Sequence, residues 1–82
     1  MILYQLSLHA ADMQRERGIQ ESWVLMTIES PDMTEQKFDG TVHYIRVIKE
    51  NGDRYLRVII NPAFHPVLVV TMFFDRKLGR LV

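Results

Sequence analysis

Residues 41–60 read TVHYIRVIKENGDRYLRVII, two β-rich runs (41–49 and 54–60) on either side of Asn51-Gly52. Asn-Gly between two such runs is a strong short-range hairpin signal, because both residues tolerate the left-handed backbone of a tight turn. A two-residue turn sets Glu50 opposite Asp53 and pairs Val47 with Leu56, Ile45 with Val58 and Arg46 with Arg57. Side chains alternate between the faces of a strand, so the apolar pairs share one face. The other face carries Ile48/Tyr55, Arg46/Arg57 and Tyr44/Ile59. Like charges directly opposite each other are destabilising, so an anion is expected to answer the two arginines.

Outward from this hairpin, Asp39-Gly40 signals a second one. A two-residue turn there pairs Phe38 with Thr41 and sets Glu35 opposite Tyr44, on the Arg46 face. Residues 33–38 are mostly polar and form a natural edge strand. Residues 61–66 (NPAFHP) are a turn-rich loop, residues 67–74 an apolar strand suited to an interior position, and residues 75–82 a short tail. On the N-terminal side, Ser7 is placed to cap a helix running through Arg17, with Gly18 ending it and Leu6, Ala10 and Met13 facing the core. Residues 21–29 read as a second helix, with Ile19 and Val24 stapling around a Gln20 cap and Ser30-Pro31-Asp32 stopping it. Residues 1–5 fit either a short leading strand or an extension of the first helix. The sum is a single domain over residues 1–82 of the α+β class, two N-terminal helices packed on one face of a three- to four-stranded antiparallel sheet. The helices cover Ile45, Val47, Leu56 and Val58. Tyr44, Arg46, Tyr55 and Arg57 face outward.

Bulk properties narrow the chemistry. Eighty-two residues with 48% hydrophobic and 24% charged side chains describe an ordinary soluble globule with one modest core. Ten basic and ten acidic residues give zero net charge, which argues against an overall nucleic-acid-coating character while leaving room for a local patch. The chain has no cysteine, so thiol catalysis, disulfide scaffolds and cysteine zinc sites are excluded. The apolar stretch at 67–74 is too short to span a bilayer, no basic region precedes an apolar core at the N-terminus, and the cytoplasm is the expected location. His9, His43 and His65 have no metal-binding spacing. Phosphate-loop, dinucleotide and nucleophile-elbow motifs do not occur, and no cofactor is expected.

Two groups of residues could carry chemistry. Arg46 and Arg57 could grip a phosphate through their forked donors, with Tyr44 and Tyr55 stacking on bases beside them. Against that stands neutralisation of the pair by Glu35. His9, early on the first helix with Asp12 and Met13 at i+3 and i+4, has a pKa suited to acid–base work near neutrality. A helical histidine is more commonly a surface or cap residue. His43 falls on the apolar face near Ile60, between core edge and solvent, and His65 lies in the proline-rich loop.

His9-Ala10, then Arg17-Gly18-Ile19, then a helix ending at Ser30-Pro31-Asp32 resembles the small bacterial family called domain of unknown function 4258. Its members look like His-Ala, Arg-Gly-Ile and Asn/Ser-Pro-Asp in that order, followed by a β-meander. The run Val69-Val70-Thr71-Met72-Phe73-Phe74-Asp75-Arg76 is similar to the strand that closes it. The resemblance covers nearly the whole chain. It implies a fold similar to RelE-like toxins, whose relatives include metal-free ribonucleases held by a small antitoxin-like partner. In such a site the RNA's own 2′-hydroxyl attacks the adjacent phosphate. The resemblance gives His9 the acid/base role, Arg46 and Arg57 the pentacovalent phosphate, and Arg17 an assisting or capping role. Many members carry arginine then methionine four residues after the histidine, where this chain has Met13 and Gln14. With the neutral net charge, that departure motivates the alternative, a non-catalytic protein-interaction module. Oligomeric state is left open.

Overall fold

The computed structural model describes residues 3–79. Residues 1–2 of the leading segment and 80–82 of the tail lie outside the described residues. The elements run β1 (Tyr4–Leu6), α1 (Leu8–Glu16), α2 (Glu21–Glu29), β2 (Met33–Gln36), β3 (Val42–Ile48), β4 (Arg54–Asn61), β5 (Val67–Phe74) and a short α3 (Arg76–Gly79). They form an α+β fold around one five-stranded sheet of order β1-β5-β4-β3-β2. The sheet is mixed: β1 runs parallel to β5 and the other neighbours are antiparallel. The expectation of three or four antiparallel strands is corrected by β1, whose three residues are too few for alternation to identify. Tyr4 and Leu6 pack against the core, while Gln5 donates to the Pro66 carbonyl.

The helices form where capping and spacing place them. The Ser7 hydroxyl accepts from the Ala10 N–H (2.9 Å) and donates to the Val70 carbonyl (2.9 Å), so one side chain caps α1 and ties it to β5. Gly18, at φ +62°, takes the left-handed turn after the Arg17 C-cap. α1 covers β5, and α2 lies across β3 and β4. Ala10, Ile19, Trp23, Val24 and Ile28 meet Ile48, Leu56, Val58, Ile60, Val69 and Met72 in the core. An irregularity between Ile59 and Ile60 skips Val70 in the β4–β5 pairing, which lets Val69 and Met72 face the same core although they are three residues apart. Among the described residues no helix is long and apolar enough to cross a membrane.

Both hairpins differ in register from the two-residue turns expected. Ile48 pairs with Arg54, so the β3–β4 connection spans the five residues between them, with a 3₁₀ turn at Lys49–Asn51 and left-handed backbone at Gly52 and Asp53. The Trp23 indole N–H donates to Glu50 (3.1 Å), fixing that turn against α2. The β2–β3 connection closes with the Lys37 N–H on the Thr41 carbonyl and Gly40 at φ +87°, a three-residue loop. A one-residue slip turns a strand's side chains to the other face. Arg46 therefore stands opposite Leu56, Tyr44 opposite Val58, Arg57 opposite Ile45, and Glu35 opposite His43. The expected Val47–Leu56, Ile45–Val58, Arg46–Arg57 and Glu35–Tyr44 pairs do not form. The physical reason is that β3 is apolar on both faces: Tyr44 and Ile48 serve the helix side as well as Ile45 and Val47 would have. Ile45 is fully buried on the other face, outside the main core, between its register partners Met33 and Arg57.

Candidate functional site

The slipped register sends the expected site residues to different places. Arg46 is on the helix side, where Nη1 donates to the carbonyl of Ser30, the C-cap of α2. A cation there answers the negative end of the helix. Its buried Nε has no partner among the described residues. Tyr44 packs against the core on the same side. Arg57 and Tyr55 share the opposite, open face of β4. Arg17 closes α1 at the end of the sheet. The His9 ring nitrogen Nε2 lies 3.0 Å from the Thr71 hydroxyl, and Thr71 is opposite Ile59, two positions from Arg57, about 7 Å along the strand.

Arg57 is the hub of the open face. Its Nη1 lies 2.9 Å from Glu35 Oε1 and 2.9 Å from His43 Nδ1, while Nε and Nη2 reach Asp75 Oδ2 at 2.9 and 2.8 Å. Lys37 adds a 2.9 Å contact to the same Glu35 oxygen. The Arg57 and Asp75 side chains are only 11% and 13% exposed, against 38% for Glu35. Burial works against the Arg57 charge, but the hydrogen bonds to Glu35 and Asp75 outweigh it and raise the pKa. Hydrogen bonds from Arg57 and then Lys37 hold Glu35 down at about 2. Burial pushes Asp75 up, yet its bonds to Arg57 and to the Leu78 and Lys77 N–H groups bring it below the usual carboxylate range.

His43 is depressed by burial first, then by the charges of Arg57 and Lys37. A guanidinium can only donate, so at 2.9 Å Nδ1 must be the acceptor. His43 is then a neutral imidazole with its proton on Nε2, which has no partner among the described residues. Lys37, His43 and Arg57 line an open cavity of about 560 Å³ with Phe73, Arg76, Lys77 and the paired carboxylates of Glu35 and Asp75. The arrangement offers hydrogen-bond donors and cations to an anion, beside an aromatic ring. It does not offer a free pair of guanidiniums.

Sequence reasoning identified Glu35 as an internal partner for arginine but set it beside Arg46. Asp75, assigned to a tail, and His43, assigned to the apolar face, were missed as members of this cluster. Counting back from a correct register would have found His43; nothing local marks Asp75, whose position depends on the β4–β5 pairing. Among the described residues no three His, Cys, Asp or Glu side chains converge in a way that could hold a metal ion.

No curated protein and no solved structure matches the chain. A family model described as "Domain of unknown function (DUF4258)" matches residues 6–74, from the last residue of β1 to the end of β5. That span contains both helices that cover the sheet and strands β2 to β5, while Asp75, Arg76 and Lys77 follow it, and the chain belongs to this family.

Proposed function

We infer that the chain is an RNA-directed protein of RelE-like kind that takes single-stranded RNA on the sheet face opposite its helices. The observation that carries this reading is the cavity that Lys37, His43, Arg76 and Lys77 line beside Phe73. Cations tracking phosphates next to an aromatic platform are what single-strand binding requires. Zero net charge is no obstacle, since the field that attracts RNA is local. In this reading Arg57 is a positioning residue: it holds the His43 ring in one tautomer and leaves phosphate contact to Lys37, Lys77 and Arg76.

Cleavage in such a site joins the RNA 2′-oxygen to the adjacent phosphorus and breaks the bond to the 5′-oxygen, giving a 2′,3′-cyclic phosphate and a 5′-hydroxyl. His9 would take or give the proton. Binding has the stronger support, because His9 is engaged with Thr71 and Arg57 with two carboxylates. That saturation of Arg57 favours the second reading, a non-catalytic interaction module. A small antitoxin-like partner would then place its own carboxylates over the same cations.

Titrating a fluorescent single-stranded RNA at increasing salt tests the reading. Three phosphate contacts give a slope of about −2 in log K against log salt, from about −0.7 per contact. Lys37→Gln and Lys77→Gln should each flatten it by about 0.7. Salt-independent or undetectable binding would sink the proposal. Cleavage that His9→Gln abolishes without weakening binding would select the enzymatic form, intact RNA under saturating protein a non-catalytic RNA binder, and no RNA binding the interaction module.

A further inference from the structure

A second group of arginines meets at the end of the sheet. The β4–β5 ladder pairs Leu56 with Phe74, and the Asp75 N–H bonds the Tyr55 carbonyl at 2.8 Å. β5 ends at Phe74, and Arg76 opens α3 on the same cavity wall as Arg54. Arg17 approaches from the α1–α2 connection. These three arginines, with Gly18, Asn51 and Phe74, line a cavity of about 460 Å³.

The juxtaposition is unfavourable as it stands, since like charges lining one cavity repel. Among the described residues no carboxylate lies within ion-pairing distance of Arg17, Arg54 or Arg76. Asp12 pairs with Arg15, Glu35 with Arg57 and Lys37, and Asp75 with Arg57. Asp53 lines an adjoining cavity with Arg54 and Arg76 and makes no ion pair among the described residues. Three planar forks with uncommitted donors around one cavity match an anion with several terminal oxygens and more than one charge. A phosphodiester carries a single charge and two free oxygens. A phosphomonoester carries up to two charges on three oxygens.

We propose that Arg17, Arg54 and Arg76 form a binding site for a terminal phosphate group, a phosphomonoester or pyrophosphate. The site is separate from the open-face cluster, with Arg76 at the boundary of both, and it stands whether or not the open face binds RNA. The group could be the 5′ end of a nucleic-acid strand or a free small anion.

Calorimetric titration of the whole chain with inorganic pyrophosphate at physiological salt tests the site. Saturable binding is expected, about tenfold weaker in Arg54→Gln and in Arg76→Gln and unchanged in Lys37→Gln. All three arginines are exposed, and an unchanged melting curve verifies that each variant folds. Arg54→Lys keeps the charge and loses the fork, and should fall between wild type and Arg54→Gln. No saturable heat at millimolar pyrophosphate, or identical titrations for wild type and both Gln variants, overturns the proposal. Two short RNAs differing only in a 5′-phosphate or 5′-hydroxyl identify the source. About tenfold tighter binding of the phosphorylated strand, lost in Arg54→Gln, assigns it to a strand end. Equal RNA affinities with pyrophosphate binding retained assign it to a free anion. Pyrophosphate binding without RNA binding removes the open-face reading and keeps this one. RNA binding indifferent to the 5′ group, with pyrophosphate ignored, does the reverse.

Discussion

Removing the Arg57 guanidinium leaves the Nδ1 of His43 and the Oδ2 of Asp75 without a donor, and leaves Glu35 with Lys37 alone. Taking one partner from a buried pair costs about 3–5 kcal/mol. Because Glu35 can turn to solvent, Arg57→Met is expected near the lower end, about 3 kcal/mol, measurable by denaturant unfolding. The same cluster sets an acid response in two stages. The folded pKa of His43 lies below its ordinary 6.5, so as pH falls below that value the unfolded chain binds a proton that the folded chain refuses. Stability is flat above about pH 7 and declines from about 6.5 downward. Glu35, held at about 2, and Asp75, also lowered, add stability that is fully present above the ordinary carboxylate range and is lost toward pH 2. His43→Gln should remove the upper stage alone, and a decline between pH 6.5 and 5 of unchanged size in that variant would refute the assignment.

At the scale of elements, the β3–β4 connection is held by two local features whose loss can be measured. Trp23→Phe deletes the indole donor to Glu50 and should cost about 1 kcal/mol. Gly52→Ala should cost about 1–2 kcal/mol, entirely through its left-handed backbone, since an added Cβ meets nothing within 4 Å. Elements were far more legible in the sequence than their alignment. α2 and β5 occupy the residues that spacing and stop signals indicate, and Ser7, Gly18 and Ser30 bound the helices as their chemistry requires. Register was not legible, because β3 offers an apolar face either way and Asn51-Gly52 serves a five-residue connection as readily as a two-residue one. The open-face cluster inherits this. The expected answer to an arginine by Glu35 holds for Arg57, whereas Arg46 answers a helix terminus. The Arg54–Arg76 approach depends on β4 and β5 being neighbours, which no short stretch reveals.

For the molecule as a whole, zero net charge hides a lopsided distribution. Lys37, Arg57, Lys77, Arg17, Arg54 and Arg76, against Glu35, Asp53 and Asp75, border three cavities that share Phe74 and Arg76. At pH 7 the protein is therefore expected to be retained on a cation exchanger despite its formal neutrality, and Arg76→Gln/Lys77→Gln to elute at clearly lower salt. Flow-through of the wild type would show that the patch is too dilute to act as a field. The strand order has a consequence in time. Among the described residues β5 is the last strand and lies between β1 and β4, so β1 waits some sixty residues for its partner. Until β5 is made, the Leu56–Val58–Ile60 flank of β4 is an open apolar edge and α1 has no floor. Such long-range closure is slow and exposes sticky surface. A nascent chain halted before residue 67 should thus be seized by chaperones or aggregate, while one released after residue 74 completes its sheet in a single late step.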